Sequence, residues 1–119
     1  MKFFGAAGAI GLALGIGLGA FGAHSLREHL SGEMLAVFET GVKYQMYHSI
    51  ALLIVAALAD RGRFFRYAGM SYIAGIILFS GSLYAVALTG VAGLGMVTPF
   101  GGLSFLAGHL FLLAGFLRV

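Results

Sequence analysis

Four histidines are the residues best suited to chemistry in this chain: His24, His29, His48 and His109. Imidazoles ligate metals and haem and move protons. His24 and His29 are five residues apart, which puts them on different faces of a helix, so they make no helical metal pair. His48 and His109 both lie deep in apolar runs, where facing helices could present them as axial haem ligands. The hydroxyls of Ser25, Ser80 and Ser82 could act as nucleophiles beside a histidine. A triad also needs a placed carboxylate, and no acid lies deep in an apolar run, so no catalytic constellation forms. No cysteine is present, which rules out disulfides, iron–sulfur clusters and thiolate metal sites.

The elements that must carry these residues follow from composition. Of 119 residues, 61% are hydrophobic and 9% charged, and the mean hydropathy is +1.02. A soluble domain of this size needs far more charge to cover its surface. The net charge of +3 comes from seven scattered basic residues without a stripe, so nucleic acid is not an expected partner. An all-α integral membrane bundle of four helices is expected, as a single domain over residues 1–119. The spans fall near 3–23, 38–59, 64–89 and 99–117, each long enough for a hydrocarbon core of about 30 Å. A short interfacial segment occupies 24–37, with Ser31 capping the second helix and Glu33 in its first turn. Thr98 as N-cap and Pro99 at the first helical position start the fourth span, after the Gly-rich connection "GVAGLG". The first run, with Lys2 before it, has a signal-peptide flavour. Its apolar part exceeds the usual h-region of about 7–15 residues, so it reads as a retained span.

Charge orients the bundle. Lys2, Arg61, Arg63, Arg66 and Arg118, five of the seven basic residues, collect on one side. The positive-inside rule then places both termini in the cytoplasm and the protein in the cell inner (plasma) membrane as a multi-pass chain. Small residues set the packing. Ala7, Gly11, Gly15, Gly19 and Ala23 recur every four residues on the first helix, as do Gly81, Ala85 and Thr89 on the third. Gly108 and Gly115 lie a heptad apart on the fourth. Such stripes let helix backbones approach closely in lipid.

Against these spans the polar residues stand out. "FETGVKYQMYH" (38–48) carries Glu39, Lys43, Tyr44, Gln45, Tyr47 and His48, and "FSGSLY" (79–84) carries Ser80, Ser82 and Tyr84. Glu39 and Lys43 belong to the outer interface, where long side chains snorkel. His48, about 12 residues from Asp60, lies about 18 Å up, near mid-membrane, and needs a partner there. His24 closes the first helix and Thr98 opens the fourth on that same outer side. His24, Tyr44, Gln45, His48, Ser80, Ser82, Tyr84 and Thr98 thus form a candidate polar cluster in the outer half. Tyr44 and His48 are expected to turn inward and meet the residues of "SGSLY". The cluster is either a register-fixing network or a small pocket for a lipid headgroup, a quinone or a polar solute.

"GLGAFGAHSL" (17–26), "FETGVKYQMYH" (38–48), "LFSGSLYAVALTG" (78–90) and "VTPFGGLSFLAGH" (97–109) together resemble, in order and spacing, the YgdD-like family of small bacterial inner-membrane proteins. That family is a domain of unknown function with a small eukaryotic transmembrane relative. The resemblance covers nearly the whole chain and implies a four-helix membrane protein with no established reaction, ligand or partner. His24, Tyr44, Gln45, His48, Ser80, Ser82, Tyr84, Thr98, Pro99 and Gly101–Gly102 fall on its motif positions. The chain departs from it at His109, where the family usually has tryptophan. Tryptophan cannot ligate iron, so a shared haem function is not implied and no cofactor is expected.

Three function classes follow. A non-enzymatic scaffold or accessory membrane protein leads, because packing and topology account for its features. A binder or carrier of an amphipathic small molecule, lipid or quinone, comes second. A channel or transporter comes third, as an oligomer, since the inner half of one chain offers no polar path. Membrane lipid is the expected surrounding; a homo-oligomer or a membrane-protein partner stays open.

Overall fold

The structure, a computed structural model, describes residues 2–119. Helix α1 (Lys2–His24) leads through a 3-10 turn (Leu26–Glu28) into α2 (Gly32–Leu58), which ends in another such turn (Ala59–Arg61). Helix α3 (Arg63–Gly75) continues through a π-helical turn (Ile76–Ser80) into α4 (Gly81–Thr89), and α5 (Thr98–Arg118) follows a 3-10 segment (Ala92–Val97). Four of the resulting helical stretches are long and apolar enough to cross a membrane: Lys2–Glu28, Gly32–Arg61, Arg63–Thr89 and Ala92–Arg118. No strand occurs among the described residues.

Local chemistry sets the ends. Ser31 adopts an extended backbone, and its hydroxyl accepts the Met34 N–H at 3.1 Å, so α2 starts where the sequence placed its cap. Gly90, at φ 73°, closes α4 in the left-handed region and returns its N–H to the Val86 carbonyl. An L side chain there is strained, which accounts for glycine at this one turn. Thr98 differs from expectation. It is already inside α5, behind Val97, and its hydroxyl bonds Ser82 rather than capping its own helix. The "GVAGLG" connection is itself largely helical.

Burial is that of a membrane protein. Ile10, Leu14, Ile77, Leu103, Leu106 and Leu110 are exposed, while Gln45, His48, Ser49, Ser80 and Ser82 are buried. Apolar side chains face the lipid, and polar ones face other helices, where backbone and side-chain partners exist.

Glycines bring the helices together along heptads. On α1 the buried glycines are Gly8, Gly15 and Gly22, and a methyl group added at Gly8 would come within 2.7 Å of the Ser49 carbonyl oxygen of α2. Gly11 and Gly15 also face α2, at Ser49 and Met46. The four-residue stripe drifts by about 40° per step on a helix of 3.6 residues per turn, whereas a heptad drifts only about 20°. Gly19 is therefore in ordinary contact, 3.5 Å from Val42, and Ala23 is exposed. On α5 the close line is Gly101, Gly108 and Gly115, against Phe79, Tyr72 and Phe65 of the third span. Gly81 does not pack: a Cβ there meets nothing within 4 Å.

A lipid-facing groove beside a mid-membrane hydrogen-bonded chain: the candidate functional site

The polar residues divide into separate contacts. Gln45 of α2 reaches in two directions. Its amide nitrogen donates to the Gly11 carbonyl of α1 at 2.8 Å, and its oxygen accepts from the Tyr84 hydroxyl of α4 at 2.6 Å. Gly11 has no side chain to block that carbonyl. Ser80, fully buried, donates to the Gly41 carbonyl of α2 at 2.7 Å. Ser82 donates to the Phe79 carbonyl at 2.9 Å and shares a short bond of 2.5 Å with Thr98. These contacts tie α1, α2, α4 and α5 together, with their polar atoms turned to one another.

His48 joins none of them. Its Nδ1 bonds the carbonyl of Tyr44, one turn back, at 2.7 Å. Its Nε2 meets Nε2 of His109 on α5 at 3.1 Å, and His109 Nδ1 meets the Tyr72 hydroxyl of α3 at 2.8 Å. His48 precedes the end of α2 by ten residues, Tyr72 follows the start of α3 by nine, and His109 precedes Arg118 by nine. At about 1.5 Å per residue all three sit about 14 Å from the same end, close to the middle of a 30 Å core. Three helices therefore contribute one polar side chain each at one height.

The expected meeting of Tyr44 and His48 with "SGSLY" is corrected by this geometry. Tyr44 is 38% exposed, and its ring packs on Phe79 at 4.7 Å between centroids. Gln45, one residue on, is the side chain that reaches Tyr84. His24 stays apart as well: exposed at the end of α1, its side chain makes no hydrogen bond among the described residues. Tyr72 was not singled out in the sequence, because a tyrosine in an apolar run carries no flag of its own. Matching its height to that of His109, by counting from Arg63 and Arg118, would have paired them.

Aromatic packing fixes the His48 ring. Phe105 stacks on it at 3.6 Å and 8° between planes. Beside this stack a cavity of about 380 Å³ lies between α2 and α5. Tyr44, Tyr47, Phe79 and Phe105 line it with both imidazoles, and Gly102 and Leu106 complete it. Tyr47, Leu106 and His109 are exposed, so the cavity opens sideways toward lipid. A second groove of about 270 Å³ is aliphatic except for Gln45, whose amide is already engaged with Gly11 and Tyr84.

Two imidazole nitrogens 3.1 Å apart form a hydrogen bond. In-line ligation of an iron needs about 4 Å, from two bonds of about 2 Å each. No cluster of three His, Cys, Asp or Glu occurs among the described residues. Ser49 Oγ is fully buried beside Gly11 and has no hydrogen-bond partner among the described residues.

The family model described as "Protein of unknown function (DUF423)" matches residues 18–102. That stretch includes Tyr44, Gln45, His48, Tyr72 and Gly102 and stops short of His109. "UPF0382 membrane protein YwdK" of Bacillus subtilis (strain 168) is 47% identical over 110 residues, 89% of either chain. "UPF0382 membrane protein SH2409" of Staphylococcus haemolyticus is 43% identical over 114 residues, 95% of this chain and 93% of its own. A "UPF0382 membrane protein" of Haemophilus influenzae is 45% identical over 101 residues, 84% of this chain and 82% of its own. No solved structure matches the chain.

Proposed function

The chain belongs to the DUF423 family, whose relatives are named membrane proteins, and from that premise we propose that it binds or carries an amphipathic small molecule in the groove between α2 and α5. It does so without catalysing a reaction, as a multi-pass protein of the cell inner membrane. The observation that carries this reading is His109. It is bonded to two buried partners and is still exposed in an aromatic-lined opening toward lipid. A network that served only to hold helices would be closed, as the bond from Ser80 to Gly41 is.

Size and surface fit a lipid-soluble molecule with a flat polar head. Ligand sites typically run from about 300 to 1,000 Å³, apolar with a few convergent polar groups. Flat aromatic walls favour a ring by offset stacking. A sideways opening leaves an aliphatic tail among the lipid chains. A quinone-like or phenolic lipid has this form. Toward the Arg118 end the buried side chains include Leu52, Val55, Ala56, Phe65 and Ala68, an apolar plug that argues against conduction through one chain. A scaffold role, the leading expectation from the sequence, is favoured by the bonds of Gln45, Ser80 and Ser82, and it leaves the groove without a purpose.

The test is occupancy. A Cβ at Gly102 would lie 3.9 Å from the Phe79 ring, so Gly102→Leu grows into the cavity without displacing backbone. Native mass spectrometry of the purified protein should find a ring-bearing lipid on the wild type and none on Gly102→Leu. The same bound lipids on both proteins would refute the reading.

A further inference from the structure

We infer that the occupant of the groove carries a hydroxyl group, recognised by insertion between His48 and His109. The inference rests on the groove being a binding site and adds the chemical class of what it selects.

The direction of the hydrogen bonds carries the argument. A backbone carbonyl only accepts, so the bond to Tyr44 requires the hydrogen of His48 on Nδ1. A neutral His48 then presents a bare Nε2. The hydrogen in the 3.1 Å bond between the two rings must come from His109 Nε2. His109 Nδ1 is bare in turn and accepts from the Tyr72 hydroxyl. One neutral arrangement satisfies all four groups: Tyr72 donates to His109, His109 to His48, and His48 to Tyr44.

Of the three bonds in this chain, the one between the imidazoles is the longest, 3.1 Å against 2.7 and 2.8 Å. Both rings that form it line the cavity. His48 is held by the Tyr44 carbonyl and by Phe105 stacked on its face; His109, exposed and tethered at its far nitrogen by the Tyr72 hydroxyl, is the ring that moves. When the rings part, the groove presents an acceptor on His48 facing a donor on His109. A hydroxyl answers both, because its oxygen accepts from His109 while its hydrogen goes to His48. Two such bonds of about 2.8 Å set the nitrogens about 4.6 Å apart, so His109 withdraws by about 1.5 Å. A carbonyl or ether oxygen accepts from His109 and strands the acceptor of His48 in an apolar setting. An ammonium group only donates and opposes the N–H of His109. The pair therefore selects an alcohol or phenol over a ketone, ether or ammonium group. Among quinone-like lipids it selects the reduced, hydroxyl-bearing form.

The experiment compares three small probes of one size on the full-length protein in nanodiscs: 1-naphthol, 1-methoxynaphthalene and 1-tetralone. The chain has no tryptophan and five tyrosines, two of them in the groove, so quenching of tyrosine fluorescence reports binding at measured bilayer concentrations. Naphthol should bind about tenfold more tightly than either other probe, and Gly102→Leu should weaken all three. A folded His109→Phe variant should lose the preference for naphthol. Equal affinities on the wild type, tighter binding of tetralone, or a preference that survives His109→Phe overturns the hydroxyl inference. If equal affinities still fall with Gly102→Leu, the groove stands as a site. Insensitivity of all three probes to Gly102→Leu overturns the groove and the inference together. The wild-type series decides the matter even where His109→Phe fails to fold.

Discussion

Replacing Tyr72 with phenylalanine removes one oxygen from the middle of the bundle and leaves the ring that packs on Gly108 in place. The lost group is the donor to His109 Nδ1 at 2.8 Å. Interhelical hydrogen bonds in membranes average about 0.6 kcal/mol and reach about 1.7. A buried acceptor left without a partner costs on the order of 1–3 kcal/mol. Tyr72 is fully buried, which favours the upper range, but His109 is exposed and its nitrogen is not sealed in. The expected loss is about 1 kcal/mol, well short of unfolding. Unfolding by steric trapping in bicelles measures it, with Tyr67→Phe as control. Tyr67 is 45% exposed, and its hydroxyl should matter by less than about 0.5 kcal/mol. The tautomers give a second readout. Nitrogen NMR of ¹⁵N-histidine should show His48 carrying its hydrogen on Nδ1 and His109 on Nε2. In Tyr72→Phe both rings should keep these forms, because the bare Nε2 of His48 still holds the His109 hydrogen on Nε2, while the His109 Nδ1 resonance should shift as its bond from Tyr72 is lost. Unchanged stability together with an unchanged His109 signal would refute the hydrogen-bonded chain.

Two further outcomes are expected. Gly101→Ala should destabilise the bundle by about 1–3 kcal/mol, because the new methyl group meets the backbone of Phe79, whereas Gly81→Ala meets nothing and should be neutral or stabilising by up to about 1 kcal/mol; equal shifts in the same unfolding assay would contradict the packing. Cysteines introduced at Ser31 or Ala92 should react with an impermeant reagent added outside cells, and one at Gly62 should not, as the clustering of Lys2, Arg61, Arg63, Arg66 and Arg118 requires; the reverse pattern would invert the orientation.

Features that depend on one helix at a time were legible in the sequence. Run length and composition locate the four spans, a serine before Gly32 locates a cap, and a count from Asp60 places His48 at mid-depth. Contacts between helices depend on rotation about each axis, and there the reading strayed. The third span shows why. Gly81, Ala85 and Thr89 form a stripe on an unbroken α-helix, but the buried residues there are Ser80, Ser82 and Ala87. A π-helical turn at Ile76–Ser80 lies just before it. Such a turn holds one more residue than an α-helical turn and rotates everything beyond it by about 100° relative to the residues before it. Tyr72 precedes the turn and Ser80, Ser82 and Tyr84 end or follow it. Their directions cannot be carried across on a period of 3.6. With that rotation Ser80 reaches Gly41 on α2 and Ser82 reaches Thr98 on α5. Tyr84 meets Gln45, and none of them turns to His48. The imidazole is left to find its partners before the turn, on Tyr72, and across the bundle, on His109. The π turn thus separates the bonds that hold the helices from the chain that borders the groove.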